Sequence, residues 1–210
     1  MKTESIVKTA ASVGVAAASI GNAADSTAVS ELIARIRSKD DAVRGPAWQG
    51  AGPVGAPAVV PLADVMSDPD FEVARSAKRA IERIVRHAGR PGADAERKSV
   101  QAELVKLLKH LNVNVRRHAA WMLSEIGDDN AVAPMAELLS DVQAREDARC
   151  ALTRIPGEKA TNALRKAMET APEEFKFALA DSLRARGEKV SGYPTKKLVP
   201  TKQTKVKAEG

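Results

Sequence analysis

Two apolar patterns alternate along this chain. The first is a short stripe at helical spacing: Val59, Leu62, Val65 and Met66, matched later by Val132, Met135, Leu138 and Leu139. The stretch AVVPLADVMSD, Ala58 to Asp68, is repeated almost word for word as AVAPMAELLSD, Ala131 to Asp141, proline included. Leu32, Ile33 and Ile36 form the same stripe earlier, Leu104, Leu107, Leu108 and Leu111 form it between, and Leu164 and Met168 form it later. A polar break follows most of them: SKDD at 38–41, SDPD at 67–70, NVN at 112–114, SD at 140–141. Such residues stop one helix and cap the next.

The second pattern begins at Val43, Val73, Val115, Ala144 and Phe175, at intervals of 30, 42, 29 and 31 residues. Four residues on, Ala47, Ala77, Ala119 and Ala148 align, with Leu179 in the fifth place. Small or helix-breaking residues end these segments: Gly55, Gly127, Pro156 with Gly157, and Gly187. The spacing predicts five helix pairs, each too thin to bury its apolar face alone and therefore stacked on its neighbours. The 42-residue interval marks an insertion of about 12 residues within Ile84–Val100. It predicts a second helix running on to about His87 and a turn at AGRPGAD.

This pattern resembles the HEAT repeat family in its short bacterial form, often labelled PBS lyase HEAT-like. The resemblance covers about residues 29–187. It rests on P-x-x-x-hydrophobic-hydrophobic-x-D at Pro61–Asp68 and Pro134–Asp141, and on V-R-x-x-A at Val43–Ala47 and Val115–Ala119. Ala74 and Lys176 stand where the second and fifth repeats would carry the arginine, and residues 45–57 are unusually rich in Gly and Pro. The resemblance implies an all-α fold, an α-solenoid of about five helix pairs with the second helices lining the concave surface. It also implies that the arginine column of Arg44, Arg116 and Arg145 bonds turn aspartates such as Asp41, Asp70 and Asp141, tying repeat to repeat.

Composition adds detail at the two ends. Residues 1–28 hold an early lysine and a small-residue apolar run, which leaves two readings: a helix from Ser5 to Ile20 packed on the first repeat, or a secretory signal. Glu4 and Lys8 weigh toward the helix, and the expected location is the cytoplasm. Residues 29–187 form the repeat array. Residues 188–210, rich in Lys, Thr and Pro, are expected to be a disordered basic tail. No apolar run reaches the length of a membrane span. The lone Cys150 excludes an intrachain disulfide and is expected to fill a helix seam.

Charge is where function is expected. Residues 72–118 carry 12 basic and 5 acidic side chains, whereas 119–187 carry 9 and 12. Arg75, Arg79, Arg83, Arg86 and Arg90 recur at steps of 4, 4, 3 and 4, forming one stripe opposite the apolar stripe of Val73, Ala77, Ala80, Ile81 and Ile84. Arg116 and Arg117 extend the positive charge one repeat on. Guanidinium forks suit carboxylates and phosphates. The expected role is a non-enzymatic, monomeric scaffold binding a protein partner, with sequence-independent nucleic-acid binding through the same arginines and the lysine tail as the alternative. No catalytic motif, cofactor site or metal-ligand spacing is present in the sequence; His87, His110 and His118 lie apart. HEAT-like arrays also include bilin lyases and DNA glycosylases, and only Trp121 near Glu125 and Arg117 faintly resembles the latter.

Overall fold

A computed structural model describes residues 25–195; the expected helix or signal up to residue 24 and the tail from residue 196 lie outside them. The described chain is all helical. Residues 25–36 form α1, followed by α2 (Asp41–Gln49), α3 (Val59–Val65), α4 (Phe71–Ala88) and α5 (Asp94–Leu107). Then come α6 (Val113–Ile126), α7 (Asp129–Glu137), α8 (Arg145–Arg154), α9 (Glu158–Thr170) and α10 (Glu173–Ala185). Odd and even helices form two layers. From the second pair on, each even helix packs on its own odd partner; α2 packs on α4, α6 on α8 and α8 on α10, while α3, α5, α7 and α9 stack in turn. The molecule is a solenoid of five helix pairs, as the periodicity requires.

The seam between layers is the alanine column. Ala47, Ala77, Ala119, Ala148 and Leu179 are all buried. A methyl group lets neighbouring helices approach closely while the flanking Leu, Ile and Val fill the space, each burial stabilising by roughly 1.5–3 kcal/mol. Most of the predicted odd-helix stripe residues are buried, Ile33, Met66 and Met168 are half-buried against the core, and one turns outward. Leu111 is 97% exposed, because α5 stops at Leu107 and Leu111 falls in the following turn. Val43, first of its column, is also partly exposed, since no even helix precedes α2 among the described residues.

A second column starts the even helices. Asp40, Asp70 and Asn112 lie three residues before Val43, Val73 and Val115, and their side chains accept the first free backbone N–H groups of α2, α4 and α6. Asp141 holds the same place before Ala144 and accepts the Gln143 N–H. The insertion appears as extra length in α4 and α5, joined by five residues, 89–93. The Gly-Pro stretch keeps α2 helical through Pro46 and then makes two 3₁₀ turns, Gly52–Val54 and Ala56–Ala58. Gly52 allows a close approach there: a Cβ would stand 3.0 Å from the His87 Cβ of α4, which would have to give by a few tenths of an ångström. Pro61 is third in α3, where little is lost, but Pro134 is sixth in α7, an interior place.

Polar latches join the pairs. Arg116 donates to the Asp141 carboxylate of the next repeat, through Nε and Nη2, and to the carbonyls of His110 and Leu111. Arg145 reaches Glu174 of the next repeat at 3.4 Å and lies over the Phe175 ring. Arg44 instead bonds within its own repeat, to Asp41 and the Ser38 carbonyl. Arg186 is a latch that the repeat pattern does not announce. It donates to the carbonyls of Leu152, Thr153, Ile155 and Gly157 and to the Thr161 hydroxyl, closing the end of α8. Past Gly187, where a disordered tail was expected, residues 188–195 lie against the last pair. Arg184 bonds the carbonyls of Val190, Gly192 and Tyr193, and Thr195 bonds Asp181.

Ala119, 1% exposed, leaves no room for a charge. Ala119→Asp is expected to cost about 3 kcal/mol or more, read as loss of the cooperative circular-dichroism melt. Arg116→Met strands two turn carbonyls and the Asp141 carboxylate, so chemical denaturation should show a loss of about 1–3 kcal/mol. Arg86→Met, on an exposed side chain, should stay within about 0.5 kcal/mol of the parent.

Candidate binding face

The even helices present one continuous surface, and α4 is its most cationic member. Its buried side is the predicted one: Val73, Ala77, Ala80, Ile81 and Ile84, with Ser76, Val85 and Ala88. Its other side carries four of the five predicted arginines, and the fifth, Arg90, lies past its end in the turn at 89–93; they do not share one environment. Arg75 pairs with Glu72 on its own helix and lies over the exposed Phe71 ring, 5.6 Å from its centre. Arg90 grips Glu96 with both Nη groups, at 2.6 and 2.8 Å, across the turn into α5. That bond holds the Glu96 carboxyl below its ordinary range. Both arginines therefore have acids in place.

Arg79, Arg83 and Arg86 make no ion pair among the described residues. Two of them are nevertheless ordered. Arg79 stands 5.0 Å and Arg83 5.5 Å from the centre of the Trp48 ring on α2. A guanidinium over an indole is attracted to the ring's electron-rich face and keeps its N–H groups facing outward. Trp48, half-buried and packed on the core, thus serves as the platform that aims two cations. Its two partners lie 31 and 35 residues further along the chain, beyond the reach of a local pattern.

The two remaining predicted residues separate. Arg116, with a side chain 17% exposed, is a latch. Burial works against the charge of its partner Asp141, yet the Gln143 N–H and Arg116 outweigh it and hold that carboxyl below its ordinary value. Arg117 is half exposed and gives only its Nε to Asp147 of α8, at 2.7 Å. It borders a cavity of about 360 Å³ between α4, α6 and α8 that also meets Lys78, His118 and Trp121. Trp121, 40% exposed, is shared with an adjoining cavity of about 560 Å³ reaching Arg149, Cys150 and Arg154. Cys150 is not in a seam: it is exposed and its Sγ accepts from Arg149.

His118 is one of the three histidines that the sequence leaves apart. It is buried under the cavity, its ring 5.9 Å from that of Trp121. Burial is the main cause, and the nearby Lys78 ammonium the second, of a drop in its pKa from 6.5 to about 4; a hydrogen bond with the Lys78 backbone opposes them. Nε2 has no partner among the described residues. The ring is neutral at physiological pH and adds no charge to the face. The three histidines are apart, and the described residues hold no group of His, Cys, Asp and Glu fit for a metal ion.

Comparison with known proteins agrees with this architecture. The family model for HEAT repeats matches residues 61–153, the span from α3 to α8. The resemblance read from the sequence is thus shown for the three central repeats. None of the curated proteins matches. Among solved structures the chain is similar to an engineered protein, with 22% identity, TM-score 0.39, and coverage of 75% of this chain and 78% of that one. Another engineered protein gives 21%, 0.39, 75% and 47%. A designed armadillo repeat protein in complex with the peptide (KR)4 gives 18%, 0.37, 73% and 97%. No helix among the described residues is long and apolar enough to cross a membrane.

The buried His118 makes stability depend on pH. The unfolded chain takes up a proton near 6.5 that the folded chain refuses until about 4. The stabilisation is complete above pH 6.5 and is lost as pH falls toward 4. Urea unfolding should show a decline of about 3 kcal/mol across that window, and His118→Gln should flatten it.

Proposed function

We propose that this chain is a non-enzymatic repeat scaffold that binds an acidic segment of a protein partner across its even-helix face, centred on α4. In the family it resembles, that face is the concave one. The observation that carries the reading is the unequal use of the arginines. Arg44, Arg116 and Arg186 are tied into the fold, whereas Arg79, Arg83 and Arg86 make no ion pair among the described residues. Cations left unpaired but held by Trp48 lose little freedom on binding, which favours affinity. Arginine forks pair bidentately with carboxylates. Trp121 and the two cavities beside it supply the aromatic, partly apolar surface at which protein interfaces concentrate their binding energy.

A protein partner is favoured over a nucleic acid for a structural reason. Beyond α6 the same face is no longer net positive: Asp147 and Glu146 of α8 line the second cavity beside Arg149 and Arg154, so a phosphate backbone tracking the groove gains no further net positive charge there. A peptide can place neutral or basic side chains there.

The test is titration of a fluorescein-labelled, capped octaglutamate and of a labelled eight-nucleotide single-stranded DNA against the full chain, followed by anisotropy. Octaglutamate should bind more tightly at about 0.15 M salt, and Arg79→Glu/Arg83→Glu should weaken it about tenfold or more. Equal affinity in that variant contradicts the reading. Tighter DNA binding with a steep loss on added salt replaces it with the nucleic-acid alternative.

A further inference from the structure

The junction between the second and third repeats differs from its neighbour. α6 packs extensively on α8 but only sparingly on α4, and the looser junction is where the inserted residues lengthen α4 and α5. A cavity of about 360 Å³ opens there on the even-helix face. Its lining comes from four elements: Lys78 of α4, Met66 at the end of α3, Asp147 of α8, and Asn114, Arg117, His118 and Trp121 of α6.

We infer that this cavity is a seat for one carboxylate side chain of the bound segment, with Lys78 and Arg117 as its cations and Trp121 as its wall. The inference rests on the reading that the face takes an acidic protein segment, and adds to it a second, separate contact point. Four observations support it. Lys78 is exposed and makes no ion pair among the described residues. Arg117 is engaged only through Nε, so neither Nη group has a partner among the described residues. Asn114 uses its backbone N–H in the α6 cap and leaves its side-chain amide unbonded among them. The charge within the lining is two cations against one acid, Asp147, and one carboxylate brings it to zero.

The neutral His118 maintains that balance. Its ring forms the floor, 7% exposed, and lies beside Trp121. A charged imidazolium would add a third cation beside Lys78. The neutral ring leaves the carboxylate to Lys78 and Arg117. Lys78 also joins the two contact points. It follows Ala77 on α4 on the flank toward α6, whereas Arg79 and Arg83 lean on Trp48 of α2. An acidic segment crossing α4 meets the Trp48 platform on one side and this cavity on the other.

Trp48 and Trp121 are the two tryptophans of the chain, so Trp48→Phe leaves Trp121 as the sole reporter. The full-length Trp48→Phe protein is titrated with capped octaglutamate and capped octaglutamine, reading tryptophan fluorescence, with peptide anisotropy followed in parallel. A saturable change in Trp121 emission is expected with octaglutamate and none with octaglutamine. Lys78→Gln should weaken octaglutamate about fivefold, and Lys78→Gln/Arg117→Gln tenfold or more, with an unchanged thermal melt. Anisotropy showing octaglutamate bound while Trp121 emission and the Lys78→Gln affinity stay unchanged overturns this seat and leaves the α4 face standing. No anisotropy change when octaglutamate is titrated into the unsubstituted chain, whose Trp48 platform is intact, overturns both.

Discussion

Everything in this molecule depends on close approach along the seam of small residues. Ala47, Ala77, Ala119 and Ala148 are buried where one even helix meets the rest of the array, and each is too small to hold its helices apart. A helix pair with such a face has no core of its own. It gains one only from the next pair, so stability is a sum of neighbouring interfaces. The arginine latches act on the same junctions. Arg116 to Asp141, Arg145 to Glu174 and Arg186 to the end of α8 each join one repeat to another and fix how far the pairs rotate on one another.

That constraint also sorts the cations. A guanidinium near a junction finds carbonyls or a turn aspartate and becomes part of the fold. On the exposed face of α4, Arg75 finds Glu72 of its own helix, but Arg79, Arg83 and Arg86 find no acid among the described residues. Arg79 and Arg83 take the Trp48 ring instead, and Arg86 faces solvent. The inserted length contributes in two ways: it extends α4 enough to carry the stripe, and the α4–α6 junction it adjoins is the loose one, where the cavity beside Lys78 and Trp121 opens. The candidate site thus gathers beside the inserted length between the second and third repeats.

Much of the fold was legible because it is written in short-range physics. Asp40, Asp70 and Asn112 cap their helices through bonds to the next two or three residues, and i, i+4 stripes bury where a partner stacks. The extension of α4 and the turn at 89–93 followed from a repeat interval alone. What was not legible depends on partners far along the chain. Arg90 meets Glu96, Arg117 meets Asp147 and Trp48 meets Arg79 only because of how pairs stack. The spacing that made seven arginines look equivalent holds no record of which acids arrive. Cys150 and Leu111 turned outward for a similar reason: the first is on the solvent side of α8, and the second lies past a helix end that the stripe did not mark. His118 did carry a signal: it lies three residues after Val115 and four before Met122, on the buried stripe of α6, at the place that Ser76 holds in α4.

The central claim is that the arginines of this chain fall into two populations, one held by the fold and one available to an acidic partner. Timed modification by phenylglyoxal, with each arginine followed by mass spectrometry, reads this directly. The account predicts that Arg79, Arg83 and Arg86 react well before Arg44, Arg116 and Arg186, and that saturating octaglutamate protects the first group and leaves the second unchanged. Uniform rates across both groups, or protection confined to residues away from α4, would contradict it.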